Sequence, residues 1–424
     1  MKLAKSLLLG TAAGFAAVTG AQAADLPITK AEPVEYVRVC GTHGTGFFYV
    51  PGTDTCIRIG GRVRAEAVYG EPKNTNLTGV GNGRQQDAIG FRARGRLDVD
   101  VRTPTDYGTV RAFIRYQIDR NTGGPVGSST GALLDRAFIQ FAGFTAGRTQ
   151  SFFDFYASDI NWGDFAGSPG SDTNINLFAY TATFGGGFSA SLSVEDRNTR
   201  QLAPTVYYSG GQRVPDIVAN LKVDQDWGSA QLSGALHQLN SYQLYGQWGQ
   251  RVDTEYGWAV QGGVKVKIPA LGAGDVLWLQ AAYADGALNY LGLNSSTTVG
   301  RVTNSITDAY IVNGSLKKTT GWNLTAAGVH YWTPGLRSTL WGSYTDANYN
   351  SSVKFANANY RDFQVWKAGT ALIWSPVRNF DIGVEVLYGR LERSRFNPVD
   401  FNQAYYVKRS EDQIQTRLRV QRDF

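Results

Sequence analysis

Residues 89–102 read IGFRARGRLDVDVR, an alternation of two kinds of side chain. The odd positions, from Ile89 to Val101, are all apolar or small. The even positions from 92 onward are all charged: Arg92, Arg94, Arg96, Asp98, Asp100 and Arg102. Because successive side chains of a strand point to opposite faces, this stretch predicts a strand with one apolar face and one charged face that meets water.

The same alternation returns along the chain, in residues 57–69, 107–119 and 413–424. In each of them apolar residues share one parity, while arginines and other polar residues share the other. The chain after residue 23 has no uninterrupted apolar run long enough for a membrane-spanning helix, so strands would have to place it in a membrane. Apolar side chains outside and polar ones inside predict a closed β-barrel in lipid.

The first residues have the features of an export signal. Lys2 and Lys5 precede an apolar run at 7–18, and Ala21-Gln22-Ala23 is the small-x-small pattern of a cleavage site. We therefore expect residues 1–23 to be a removed signal peptide, 24–56 an N-terminal segment and 57–424 the barrel. Cleavage leaves 39 basic and 35 acidic residues, a net charge of +4. This mild, dispersed excess does not favour nucleic acid as a partner.

The two cysteines of the chain are Cys40 and Cys56. An exported chain meets an oxidising compartment, so we expect them to form a disulfide. The bond would close a loop of about 15 residues, worth about 3 kcal/mol in the chain-entropy model. A metal site is the alternative, but only His43 lies nearby and zinc requires four ligands. We expect no metal and no cofactor.

Counting the alternating runs predicts an all-β fold, a 16-stranded antiparallel transmembrane β-barrel. The predicted strands are 57–69, 88–102, 107–119, 133–141, 145–148, 176–184, 188–196, 215–223, 228–239, 255–268, 275–285, 321–332, 336–346, 362–375, 380–392 and 413–424. Seven short turns alternate with eight long loops, as in a barrel with short periplasmic turns and long outer loops. Sixteen strands leave an aqueous lumen.

Tryptophan spacing supports a lipid face. Trp366 and Trp374 share a parity on the fourteenth predicted strand and would lie roughly 20 Å apart along the membrane normal. Trp322 and Trp332 repeat this arrangement on the twelfth strand. Such pairs are typical of the two aromatic belts of an apolar band.

No tryptophan precedes Trp162. The outward residues of the first five predicted strands are small or aliphatic, such as Ala65, Ala67, Ala93 and Gly95. A tryptophan-free wall of small apolar side chains favours contact with another protein over contact with lipid. We therefore expect a homotrimer that assembles through strands one to five.

Several stretches resemble the general porins of alphaproteobacteria of the rhizobial type, over essentially the whole mature chain. They are VEYVRVC at 34–40, PGTDTC at 51–56, RAFIQFAGF at 136–144, GR at 147–148 and SFFDF at 151–155. The resemblance implies a trimeric Gram-negative outer-membrane channel for passive diffusion of small hydrophilic solutes and ions. It also implies that the loop after strand five folds into the pore, and that the terminal aromatic, Phe424, is a signal for the barrel insertion machinery. Outer-membrane lipid and lipopolysaccharide would surround such a channel.

Closing the barrel makes the last strand a neighbour of the first, which joins the arginines into one wall. The predicted wall residues are Arg62, Arg64, Arg94, Arg96, Arg111, Arg115, Arg417 and Arg419. Loop 149–175 would bring four acids opposite them: Asp154, Asp159, Asp164 and Asp172. Charges of opposite sign across a narrow opening predict a transverse field, which favours polar and dipolar solutes without a tight binding site.

Other functions fit the sequence less well. A hydrolase needs a nucleophile oriented by histidine, but His43, His237 and His330 lie in distant segments without a nucleophile motif, so we expect no enzyme. We interpret His237 and His330 as isolated polar or interfacial residues. A substrate-specific channel, for sugars for example, would line its path with aromatics, and few are predicted to point inward: Phe113, Phe138 and Trp341. An adhesive outer-membrane protein with a plugged lumen is a third possibility.

Overall fold

The computed structural model describes residues 38–71, 87–164, 166–202, 210–242, 244–245, 249–300, 302–357, 360–394 and 410–424. The expected signal peptide, 1–23, and residues 24–37 lie outside this part of the chain. Within it no helix is both long and apolar enough to cross a membrane.

Sixteen strands of the described chain form one antiparallel barrel. They are β1 (Cys56–Gly70), β2 (Ile89–Thr105), β3 (Gly108–Gly123), β4 (Ser129–Phe141), β5 (Phe144–Gln150), β6 (Asn174–Gly185), β7 (Phe188–Glu195), β8 (Asp216–Gln225), β9 (Gly228–Leu239), β10 (Glu255–Lys267), β11 (Val276–Asp285), β12 (Thr320–Thr333), β13 (Leu336–Asn348), β14 (Phe363–Val377), β15 (Phe380–Arg393) and β16 (Ser410–Asp423). Each strand pairs with the next, and β16 pairs with β1 from Arg62–Asp423 to Gly70–Gln415. Closure leaves no free sheet edge. The predicted fold class is confirmed.

Side-chain exposure follows the predicted parity. On β2, Phe91 and Leu97 are exposed on the outer face, whereas the arginines between them are partly covered on the inner face. The belt residues Trp322, Trp332, Trp366 and Trp374 are likewise exposed. Large apolar side chains on the outside of a closed barrel are the lipid-facing arrangement.

The predicted boundaries fail most at the β3–β4 hairpin. β3 continues to Gly123 and β4 begins at Ser129, not at Leu133, because Asn121 pairs with Ser129 and Arg120 with Thr130. The residues at this end of the hairpin are polar on both faces, so they do not show the alternation. Outside the lipid, backbone hydrogen bonds between two strands can form without an apolar face. A register shift beside Arg115 adds one residue to β4, a bulge that the alternation did not reveal either.

The described parts of the long connections lie at one end of the barrel, and the connection at residues 286–319 contains regular structure. It contains a short 3₁₀ turn, Leu288–Leu291, and two hairpins, Ser296–Val299 with Val302–Ser305 and Ala309–Val312 with Ser315–Lys318. Its apolar residues pack with aromatics from neighbouring loops. This core includes Leu288, Tyr290, Leu291, Val299, Val302, Ile306, Tyr349 and Tyr360. We call residues 286–319 the outer loop.

The opposite end carries the short turns and the N-terminal segment. Cys40 and Cys56 form the expected disulfide. Phe48–Tyr49 extends the edge of β1 by pairing with Cys56 and Ile57. The neighbouring Phe47 is buried, with the Arg58 and Arg102 guanidiniums 5.0 and 4.8 Å from its ring centre. This segment is therefore fastened to the first strand both covalently and by packing.

Candidate functional site

The predicted arginines do come together on the inner face of four adjacent strands, β16, β1, β2 and β3. Strand register places Arg64 directly opposite Arg94 and Arg62 opposite Arg96. We call this surface the arginine wall. Its members named from the sequence are Arg62, Arg64, Arg94, Arg96, Arg111, Arg115, Arg417 and Arg419.

The acids that neutralise much of this wall stand on the wall itself. Arg94 binds Asp119 through two hydrogen bonds of 2.6 and 2.7 Å, and Arg115 binds Asp98 at 2.9 and 3.1 Å. Similar pairs join Arg111 to Asp100 and Arg62 to Asp423. These counter-charges come from the barrel strands and not from the loop aspartates. Side chains on neighbouring strands are close enough to pair across the ladder.

Glu66 of β1 is the centre of the densest group. Its carboxylate is fully shielded from solvent and binds Arg419 Nε at 2.6 Å, Arg417 at 3.2 Å and Arg92 at 3.5 Å. Glu66 and Arg92 were not among the predicted site residues. Both have the inward parity of the named arginines, so the alternation alone could have identified them.

Arg64 differs from its neighbours. Its Nε donates to the amide oxygen of Gln421 at 3.0 Å, and no carboxylate of the described chain lies within ion-pair distance of it. The side chain borders a pocket of about 310 Å³, which Arg92, Arg94 and Arg417 also line. Arg64 therefore presents uncompensated positive charge to this pocket.

The segment between β5 and β6, residues 151–173, lies against the inner side of the barrel, and we call it the inner loop. Its backbone is held by inward side chains of remote strands. Tyr156 N–H donates to Gln280 of β11 at 3.0 Å, and Asn323 of β12 donates to the Pro169 carbonyl at 2.8 Å. Polar side chains thus satisfy backbone groups that regular structure does not pair.

The tip of the inner loop reaches the arginine wall at Trp162. Its carbonyl accepts from Arg417 at 2.9 Å and from Arg419 at 2.5 Å, while its N–H donates to Glu385 at 2.8 Å. The Arg419 guanidinium also lies 4.5 Å from the centre of the Trp162 ring. Nothing in the local sequence distinguishes Trp162, because its partners lie more than 200 positions away.

The four loop aspartates do not share one environment. Asp159, Asp164 and Asp172 are exposed on the inner loop, and Asp164 borders the Arg64 pocket. Asp154 is instead shielded from solvent and binds Arg200 at 3.1 Å and Thr173 N–H at 2.7 Å. Asp154 is therefore not one of the exposed charges of the loop, because Arg200, which lies outside the loop, neutralises it.

Asp172 is a titratable group at the base of the loop. It accepts a hydrogen bond from Gln150 at 3.1 Å. Loss of hydration among the surrounding loop atoms raises the pKa of its carboxyl to about 6, and repulsion from Asp154 adds to the rise. Its negative charge is therefore present at neutral pH and lost in mild acid.

The histidine interpretation holds for one residue and fails for another. His330 is partly exposed and edge-on to Trp332, with Asp275 at 2.6 Å, an interfacial position. His237 is fully buried, and its Nδ1 lies 2.9 Å from Asp216. It belongs to an ionisable cluster below the outer loop, so it is not an isolated polar residue.

Comparison with known proteins relates this architecture to a family. A model described as "Porin subfamily" matches residues 25–416. Porin Omp2b of Brucella abortus (strain 2308) is 33% identical over 325 residues, which cover 66% of this chain and 84% of that protein. Porin Omp2b of Brucella suis biovar 1 matches with the same identity and coverage.

Solved structures share the fold. The outer membrane channel DcaP of Acinetobacter baumannii superposes with a TM-score of 0.67 and 19% identity, covering 89% of this chain and 99% of DcaP. OmpT of Vibrio cholerae, an outer membrane protein, reaches a TM-score of 0.51 at 9% identity and covers 87% and 99%. At these identities the likeness concerns the barrel architecture.

Proposed function

This chain belongs to the porin subfamily, and we propose that a transverse field between its arginine wall and its inner loop selects among solutes. It is an outer-membrane porin, a water-filled barrel through which small hydrophilic solutes and ions diffuse passively. The family consists of channels, not enzymes. The proposal concerns how this pore discriminates between solutes that are small enough to enter.

The positive side of the field rests on a local excess of arginine. Four guanidiniums meet at the height of Glu66, those of Arg64, Arg92, Arg417 and Arg419. Two carboxylates, Glu66 and Glu385, neutralise them in part. Two positive charges remain, and low-dielectric walls concentrate their field in the water between.

The negative side rests on the exposed loop acids Asp159, Asp164 and Asp172. Asp164 and Arg64 line the same pocket of about 310 Å³, so opposite charges border one cavity. A dipolar solute gains by aligning with such a field, whereas an apolar solute must displace ordered water without compensation. This arrangement of Arg64 and Asp164 is the observation that carries the proposal.

A sugar-specific channel finds little support. Phe113 and Phe138 do stack inside the barrel, with ring centres 5.2 Å apart, but Arg111 already lies 5.3 Å from each ring. Arg419 covers Trp162 in the same way, and Trp341 is buried. Aromatic faces that hold arginines are not free to stack on sugar rings.

The assembly is also part of the proposal. Residues 1–23 direct export and are removed, Phe424 is read by the insertion machinery, and lipopolysaccharide surrounds the outer half of the barrel. The chain forms a homotrimer through the outer face of β1–β5. The absence of tryptophan from β1–β5 and the exposed small residues Ala93 and Gly95 support this contact.

Arg64→Gln tests the field. The variant should lower the anion-to-cation permeability ratio about fivefold, since a unit charge about 8 Å from the ion path shifts anions and cations by about 0.5 kcal/mol each in opposite directions in water. Reversal potentials across planar bilayers at low salt, where screening is weak, measure this ratio. Arg422→Gln is the matched control, because it removes the same charge from the exposed end of β16. Equal reversal potentials for Arg64→Gln and the control would contradict the proposal.

A further inference from the structure

Arg200 is a fully buried arginine that no solute in the pore can reach. It ends the one-turn helix Arg197–Arg200, which follows β7. Its guanidinium donates to Ser171 at 2.8 Å, to Thr173 at 3.0 Å and to Asp154 at 3.1 Å. All three partners belong to the inner loop.

These partners come from both ends of the inner loop. Asp154 is the fourth residue of the loop, whereas Ser171 and Thr173 precede β6. Asp154 also accepts from Ser171 Oγ and from the Thr173 N–H, so the two ends are bound to each other as well as to Arg200. The guanidinium thus fastens the base of the loop whose tip touches the arginine wall.

The same guanidinium also binds the outer loop. It donates to Asn289 at 3.2 Å and lies 4.3 Å from the centre of the Tyr290 ring. The Tyr290 hydroxyl donates to Asp216 at 2.8 Å. Asp216 is also hydrogen-bonded to His237. Asp308 accepts from Leu288 N–H at 2.7 Å and from Leu202 N–H at 2.6 Å, joining the outer loop to the chain just after Arg200.

Burial strengthens this connection. Arg200, Asp154 and Tyr290 are shielded from water, so a guanidinium that lost Asp154 would be left as an unpaired buried charge. Burial by itself lowers the pKa of Arg200, but the combined attraction of Asp154, Tyr290 and Glu195 outweighs it and the pKa is raised. The side chain therefore stays charged and the ion pair persists.

We propose that Arg200 is a positioning residue of this channel, which holds the inner loop in place by fastening both of its ends to the outer loop. The steadiness of the pore then depends on a side chain remote from the permeating solute. The inference rests on the proposed function only in so far as the inner loop bounds the open path.

Arg200→Gln is the variant that tests this role, with Arg197→Gln as matched control. Arg197 is equally buried on the same helix turn, but it binds the carbonyls of Gln238 and Gly210 and the side chain of Asn240. Hydrogen exchange of the peptide covering 151–164 should become about a hundredfold faster in Arg200→Gln and stay near wild type in the control. Single-channel records should show new substates in Arg200→Gln alone.

Removing the second charge sharpens the test. In Arg200→Gln/Asp154→Asn both charges of the buried ion pair are removed, so loop exchange should return most of the way toward wild type. Heat-modifiable mobility on gels checks that every variant forms the barrel. Unchanged loop exchange in a folded Arg200→Gln barrel, or a double variant as fast as the single, would overturn the positioning role. Faster exchange with unaltered single-channel current would support Arg200 as the anchor and count against the inner loop as the constriction.

Discussion

The arginine wall and the inner loop face each other across the lumen, yet their charges are positioned in different ways. On the wall, strand register places most of the arginines near an acid of a neighbouring strand, as in the Arg94–Asp119 and Arg115–Asp98 pairs. On the loop, position depends on partners that are remote in sequence, such as Gln280 for Tyr156 and Glu385 for Trp162.

This difference has a consequence for how each side tolerates substitution. Most wall charges sit on strands whose backbone bonds hold them regardless of the side chain, so exchanging one arginine should change the field and spare the fold. Loop charges share a few buried anchors. Losing one anchor should displace several charges together, whereas losing an exposed aspartate should remove one charge only.

Glu66 is an exception on the wall, because it is a buried anchor shared by several arginines. Its substitution should therefore destabilise the protein more than any other change considered below. Glu66→Gln leaves Arg417 and Arg419 without their shared buried carboxylate, so we expect a loss of about 3 kcal/mol in the free energy of unfolding. Glu392→Gln is the control, because the Arg390–Glu392 pair is exposed and solvent screening weakens it. Urea unfolding of both proteins in lipid measures the difference. Similar losses would show that Glu66 is no more important than a surface acid.

The outer face of β1–β5 and the outer face of the tryptophan-bearing strands should differ in their effect on trimer stability. A side chain added at Gly95 of β2 meets no atom within 4 Å, so Gly95→Leu should leave the barrel intact and weaken the proposed trimer, where overpacking costs about 1–3 kcal/mol. Gly262→Leu on β10 is matched, since Gly262 is equally open and lies on the tryptophan-bearing side. Native gels report the oligomer. Trimers of equal stability in both variants would remove β1–β5 as the interface.

Protonation of Asp172 should change the ion selectivity of the pore, and this is the smallest effect that we expect. Its pKa of about 6 means that the carboxyl gains a proton as the pH falls from 7.5 to 5, so the loop loses one negative charge and the cation preference should fall about twofold. Reversal potentials at the two pH values measure this step. Asp172→Asn should lack it, and a step of the same size in the variant would assign the titration to another group.

The alternation predicted the barrel well because lipid imposes it. Strands β12–β15 lie within two residues of their predicted ranges, since tryptophan and leucine must face outward there. The predicted ends of the β3–β4 hairpin were too short where the strands leave the lipid, because residues there need not have an apolar outer face. The arginine wall could be predicted for the same reason: once the outward apolar parity is fixed, the arginines of neighbouring strands must share the inner face.

The inner loop could not be predicted to this depth. Its acids looked alike in the sequence, and Asp154 separates from the other three only through Arg200, which lies 46 positions away. The same holds for His237, whose partner Asp216 lies on the preceding strand. Pairings of this kind depend on which side chains meet in three dimensions, and no periodic pattern encodes them.

The arginine wall can be completed only after β16 pairs with β1. The bonds of Arg62 to Asp423, Arg64 to Gln421 and Arg419 to Glu66 all cross this one seam. None of them can form while the first and last strands are apart. An open sheet in transit to the membrane therefore lacks the central part of the selective wall. The finished surface appears only when the two chain ends meet, so the charges proposed to discriminate between solutes come together in the same step that closes the barrel.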